Sequence, residues 1–388
     1  MIKDTFRQSF EKLKHYCEDE GFKGWDPYDG LNSKVFKALQ LDKVQFFRLA
    51  WIQLFKRNPI NLRGFLLVPK EYNPKGLGLF LTGYCNLYQI EKKDEYLQNI
   101  KFLADKLLEL QSEGYSGSCW GYNFDWQSRA FFLPKETPTV VATSFISYAL
   151  LDAYDITKDE RYLQTAINST NFILNDLNRT EKKEGFIFSY SPYDNTRVYN
   201  ASLLGSRLLS RVYSYTKDDT LINAARESVV ACANAQREDG AWIYGELEIQ
   251  GWVDSFHTGY NLECIYEYQK YSGDTSFNTI IEKGLDYYLN NFFLEDGTPK
   301  YYDSKTYPID IHAPAQLIAT LYRLDVLHEN KELVDRVLEW TIDHMQDQKE
   351  GYFYYQLKQT KSSKIPYMRW AQAWMFYAFS FYFLGNES

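Results

Sequence analysis

At 388 residues the chain is long enough for two domains or for one closed helical barrel. Hydrophobic residues at 45% and charged residues at 24% describe a globular protein with a large core, and a formal net charge of −8 without Lys/Arg runs argues against nucleic acid as a partner, because phosphate binding needs a basic stripe. Aromatic residues reach 18%, with 33 Tyr. Tyrosine offers a flat apolar face and a hydroxyl, which suits wet surfaces that stack on sugars, although a core that favours aromatics would have the same composition.

The N-terminal stretch "MIKDTFRQSFEKLKHYCEDEG" alternates charge with apolar residues and lacks the apolar segment of a secretory signal, so a cytoplasmic location is expected. Five scattered cysteines without a Cys-x-x-Cys pair suggest reduced, buried thiols rather than a disulfide framework or a zinc site. Residues 32–58, "NSKVFKALQLDKVQFFRLAWIQLFKRN", carry a helical apolar stripe. From there the chain becomes periodic. "ATSFISYALLDAYDITKDERYLQTAINSTNFILND" from Ala142, "NASLLGSRLLSRVYSYTKDDTLINAARESVVACANA" from Asn200 and "HTGYNLECIYEYQKYSGDTSFNTIIEKGLDYYLNNF" from His257 each give an apolar helix, a short polar turn and a one-sided helix. Less complete copies begin near Thr82, His312 and Arg369.

The last copy holds only a first helix, and the striped helix at 32–58 supplies its missing partner. The expectation is an all-α (α/α)6 toroid of six helical hairpins, one domain over 1–388, with residues 1–58 closing the ring. Inner helices of such a ring should be apolar all round and outer helices one-sided. On that reading "IPYMRWAQAWMFYAFSFYFLG" (365–385) is a buried inner helix and not a membrane span, since Arg369 and Gln372 interrupt it and no basic flank follows.

The long links back to each inner helix open with Gly and aromatics, and all must lie at one mouth of the barrel, where such scaffolds carry function. Asp254, His257 and Tyr260 fall at three-residue steps at one inner-helix start, and Asp310 and His312 hold the equivalent place in the next repeat. Asp254 suits a helix N-cap, while His257 and Tyr260 share a face. These five are the candidate catalytic residues: a neutral histidine with a neighbouring tyrosine can move a proton next to a uronic carboxylate, as an epimerase or lyase requires, and paired carboxylates can hydrolyse a glycosidic bond. Candidate substrate-binding residues are Trp126, Arg129, Asp194, Arg197, Tyr199, Trp242, Glu246, Trp252, Tyr367, Arg369 and Trp370, with Arg369 the best placed to clamp a carboxylate. No spacing specifies a metal, and no cofactor is expected.

Three resemblances bear on these motifs. "QREDGAW" (236–242) resembles the Gln-Trp repeat of squalene cyclase and prenyltransferase toroids, but the acidic Asp-x-Asp-Asp motif and a zinc set are missing, which disfavours that chemistry. "MRWAQAW" (368–374) resembles the Arg-Gly-Gln-Ala-Trp segment of unsaturated glucuronyl hydrolases, which are six-hairpin barrels. "NLRGFLLVPKEYNPKGLGLFLTGYCNLY", "WVDSFHTGYNLECIYEY", "IDIHAPAQLIATL" and "RWAQAWMFYA" together resemble a family of bacterial proteins associated with capsular and other surface-polysaccharide gene clusters. That resemblance implies the fold and the pathway, with a sugar or oligosaccharide as ligand and polysaccharide-assembly proteins as possible partners; a non-catalytic glycan-binding or scaffold role is the alternative to an enzyme.

Overall fold

The computed structural model describes residues 2–127 and 132–387. Helix α1 (Asp4–Asp19) is followed by α2 (Lys34–Ala38) and α3 (Gln45–Arg57). Hairpins then repeat: α4 (Pro74–Ile90) with α5 (Asp94–Glu109), α6 (Val140–Thr157) with α7 (Glu160–Asn171), α8 (Tyr199–Thr216) with α9 (Asp219–Ala233), α10 (Ser255–Ser272) with α11 (Asn278–Phe292), and α12 (His312–Arg323) with α13 (Lys331–Met345). A π-helical turn, Met368–Ala373, leads into α14 (Trp374–Glu387). Three short two-stranded antiparallel ladders stiffen the long links.

Helices α4, α6, α8, α10, α12 and α14 touch one another in that order, and α14 returns to α4. This is the (α/α)6 toroid. Every residue of α4 from Pro74 to Leu87 is buried, whereas an outer helix such as α5 buries only one stripe: Tyr96, Ile100, Leu103, Ala104 and Leu107. Two of the polar turns between paired helices work alike. Lys158 and Lys217 end α6 and α8 in the left-handed conformation, and Asp159 and Asp218 then cap α7 and α9 by accepting from Arg161 N at 3.0 Å and Thr220 N at 2.9 Å.

The ring is closed by an N-terminal helix, but by α1 and not by the stripe at 32–58. Phe6, Phe10, Leu13 and Cys17 form the buried face of α1, and Phe10 meets Phe376, Phe379 and Phe383 of α14 at 5.2 to 5.7 Å between ring centres. Burying each such ring contributes about 1.5–3 kcal/mol. Glycines in successive links show the same closure. Gly185, Gly240, Gly297 and Gly351 have φ between +74° and +90° or slightly above, and a Cβ there would strike the carbonyls of Glu227, Lys283, Arg336 and Lys12. Each link therefore rests on the next outer helix, and after α13 the next is α1.

Residues 32–58 do different work: Leu31, Phe36 and Ile52 make a small separate core that holds α2 and α3 over one end of the barrel. Two other expectations shift. The first inner helix begins at Pro74, capped by Asn73, eight residues before Thr82. Residues 374–387 are an inner helix, and among the described residues no helix is long and apolar enough to cross a membrane. All five cysteines are buried and unpaired.

Candidate active site

All six inner helices present their N-terminal ends to the same mouth, because each long link runs from an outer helix to the next inner start. Lys75, Val141, Asn200, His257, His312 and Arg369 come from those six starts and line one cavity of about 620 Å³, a size usual for small-ligand sites. The links after α5, α7, α9 and α11 and helix α3 supply the rest of the wall. Seven tyrosines, three tryptophans and two phenylalanines line it. Tyr122 lies parallel to Phe124 (5.4 Å, 5°) and Tyr244 parallel to Trp252 (4.7 Å, 12°), which makes two flat aromatic surfaces of the kind that hold a sugar ring.

The candidate catalytic group assembles around α10 and α12. Asp254 caps α10 by accepting from His257 N at 3.0 Å, and its other oxygen meets His257 Nδ1 at 2.7 Å and Trp252 Nε1 at 2.8 Å. The helix cap and the histidine partner are thus one carboxylate. With Nδ1 engaged, His257 Nε2 has no partner among the described residues, in a ring that lines the cavity. His312 is buried between Phe256 (4.3 Å, 5°) and Trp374 (3.9 Å), and its Nε2 lies 2.9 Å from the Tyr260 hydroxyl while Nδ1 has no partner among the described residues. Burial, with Lys75, His257 and Arg369 nearby, pushes the His312 pKa well down, so the ring is neutral; burial pushes Tyr260 well up, so it keeps its proton.

Asp310 stands behind this wall. It accepts from His312 N at 3.1 Å, Trp370 Nε1 at 2.9 Å and Gln356 Nε2 at 3.0 Å, and burial raises it to about 6. It positions Trp370, which does line the cavity. Arg369 also lines the cavity, but its fork is engaged: Nε and Nη2 donate to the two oxygens of Asp26 at 2.6 and 2.9 Å. The carboxylate clamp expected there is occupied by a residue 343 positions away, and neither Asp254 nor Asp310 is that partner.

Trp126 and Trp252 face the cavity as expected, and Arg129 lies outside the described residues. Six other expectations are corrected, since these side chains sit behind the wall. Trp242 is buried and donates to the Cys232 carbonyl at 3.0 Å. Tyr367 is buried under the Arg63 guanidinium, 4.7 Å from its ring. Asp194 closes its own turn by accepting from the Ser191 and Thr196 hydroxyls, both at 2.6 Å. Glu246 pairs with Lys182, Arg197 and Tyr199, and so rivets two neighbouring links together. None of the six lines the cavity.

Lys75 was missed. It is the second residue of α4, is 4% exposed, and points among Phe145, Trp374 and Tyr260, with Nζ 4.2, 5.4 and 5.7 Å from their ring centres. The available signal was a lone lysine after the Asn-Pro start of an otherwise apolar helix. Two facts about charge complete the site. Among the described residues no Asp or Glu side chain lines the cavity, whereas Lys56, Arg57, Lys75 and Arg369 do. Six helix N-termini point the same way, so the cavity favours an anion or developing negative charge. Among the described residues no three His, Cys, Asp or Glu side chains are grouped to hold a metal ion.

Deeper along the barrel axis the inner helices carry a buried ionic layer. Glu267 of α10 accepts from Tyr148 at 2.8 Å and from Arg323 at 2.7 Å, and Arg207 bonds its other oxygen. Burial opposes the Glu267 charge, but Arg207 and Arg323 outweigh it and hold the carboxyl down to about 2. Gln316 and Thr320 bond Glu263 just above.

Fold and site together define an (α/α)6 toroid with one aromatic, cation-lined mouth. The glycosyl hydrolase family 88 model matches residues 75–199, about a third of the chain. Similar solved structures include a cellobiose 2-epimerase from Bacillus thermoamylovorans (14% identity, covering 98% of this chain and 100% of that one, TM-score 0.66), an unsaturated glucuronyl hydrolase specific for heparin (14%, 97% and 95%, 0.62) and a D-mannose isomerase (13%, 81% and 86%, 0.59). At these identities the likeness is one of fold. No curated protein sequence matches the chain.

Proposed function

We propose that this protein is a carbohydrate-active enzyme that moves a proton at the carbon next to a sugar carbonyl, as an epimerase or isomerase. The observation that carries this is the wall chemistry: two histidines, one backed by Asp254, and no carboxylate facing the cavity among the described residues. Glycoside hydrolysis by the usual route needs two carboxylates at the bond, and these walls offer none. His257 Nε2 is the base that takes the proton. Lys56, Arg57 and the helix N-termini stabilise the enediolate. The Tyr260 hydroxyl, coupled to neutral His312, returns a proton to the opposite face. The family 88 match and the printed names of the similar structures support a sugar substrate; a place in surface-polysaccharide formation rests on the sequence resemblance.

The test is exchange in D2O. Reducing disaccharides, D-mannose and D-glucuronate are incubated with the protein and followed by NMR. Deuterium at C2 with a new epimer or ketose is expected, and its loss in His257→Ala with an unchanged melting temperature. Cleavage of a glycosidic bond without C2 exchange would overturn the proposal in favour of the hydrolase reading.

A further inference from the structure

Lys75 is out of place by ordinary rules. A charged ammonium at the second position of a helix opposes the positive N-terminal end of the dipole, and a buried one without a partner is costly. Among the described residues Lys75 makes no hydrogen bond or ion pair, and methionine would fill the same aromatic box without that cost. Arg369 packs against the following residue: a Cβ placed on Gly76 would lie 3.2 Å from Arg369 Cβ. Burial first, and then the Arg369 charge, push the Lys75 pKa well below the usual lysine value, with Asp26 opposing only in part. A lysine desolvated in an apolar pocket beside a fixed cation is the setting in which an amine becomes a nucleophile.

We propose that Lys75 is a nucleophile whose Nζ adds to the carbonyl carbon of an open-chain sugar in this cavity and forms an imine. The amine lone pair makes the C–N bond, and the carbonyl oxygen leaves as water with one amine proton and one proton from solvent, so that the imine keeps the other amine proton and is protonated. The neighbouring C–H then becomes acidic, because the protonated imine accepts the electron pair released on deprotonation. Its role in epimerisation rests on the proposed function, with an enaminol in place of the enediolate: His257 takes that proton, a proton returns to the other face, and water releases the sugar and restores the amine. No oxidant or other co-reactant is needed. Tyr260 and Trp374, which border Lys75, also border His312, so amine and proton carriers share one corner.

The probe is glycolaldehyde, the smallest hydroxyaldehyde, with sodium cyanoborohydride and the full chain at pH 7, followed by peptide mass mapping. An ordinary lysine holds only about 0.04% free amine at that pH, so Lys75 should be labelled at least about tenfold faster than exposed lysines. Lys75 left unlabelled while exposed lysines react would overturn the proposal. The Lys75→Met variant should melt no lower than the parent and lose both this label and C2 exchange. Exchange at the parental rate in Lys75→Met would remove Lys75 from the reaction and leave the proposed function standing. Labelling of Lys75 without C2 exchange from any sugar would support the imine and sink the epimerase reading.

Discussion

Asp26 and Arg369 join the start of the last inner helix to the loop that follows α1, and both side chains are 4% exposed. Replacing Asp26 by Asn keeps the shape and removes the charge, so the Arg369 guanidinium stays buried beside Lys75 with no counter-ion. Breaking a buried pair from one side costs about 3–5 kcal/mol. For a 388-residue chain melting as one unit, an unfolding entropy of about 2.1 cal/mol/K per residue sums to about 0.8 kcal/mol/K, so the melting temperature should fall by about 4–6 °C. Arg369→Lys keeps the charge but loses the fork and should fall less. The double variant Asp26→Leu/Arg369→Met should regain most of the loss, since an apolar pair of similar volume removes both buried charges. Scanning calorimetry on the four proteins measures this. If Asp26→Asn melts within about 1 °C of the parent, the pair does not hold the mouth together and Arg369 is free to serve a ligand.

Three further outcomes are expected. Asp254→Asn retains a good N-cap, so its stability should change little, but it no longer fixes the His257 tautomer, and C2 exchange should drop by about 10²–10⁴-fold in the same NMR assay. Asp310 has a folded pKa of about 6 against 3.8 unfolded, so the native state binds its proton more tightly and stability from this site falls as pH rises through that interval. Urea unfolding at pH 5 and pH 7 should show the parent gaining on Asp310→Asn at the lower pH by about 1.3 kcal/mol, and an equal difference at both would refute the shift. Deleting residues 1–23 should give insoluble protein, because α14 loses the cover of Phe6, Phe10 and Leu13; a soluble truncation with a cooperative melt would contradict both the closure by α1 and a single folding unit.

The six-hairpin ring is legible because its signals are local: an apolar helix, a short polar turn and a one-sided helix, repeated every 55 to 58 residues. The closing helix was misplaced although its stripe, Phe6, Phe10, Leu13 and Cys17, has ordinary helical spacing. Charged residues flank that stripe, whereas 32–58 reads as more apolar and leaves Phe46 and Leu54 exposed. That His257, Tyr260 and His312 line one cavity is legible because helix starts at a mouth can be counted from sequence. Which link residue faces the cavity and which rivets one link to the next depends on the backbone path, so Glu246 and Asp194 read no differently from Trp252. Asp26 carried no signal at all, since nothing local pairs it with an arginine at the far end of the chain.

The buried layer of Arg207, Glu267, Arg323 and Tyr148 lies well below the mouth; Glu267 is ten residues beyond His257 on α10, about 15 Å along the helix. With Glu263 also beside Arg207 and Arg323, buried ion pairs fill the barrel at that depth. On the proposed function the cavity works as a cup with this layer as its floor. In such a cup the end of a glycan, or a free small sugar, would bring a carbonyl down to Lys75 and the histidines more readily than an internal residue, so on that proposal depth selects termini before any hydrogen bond is made.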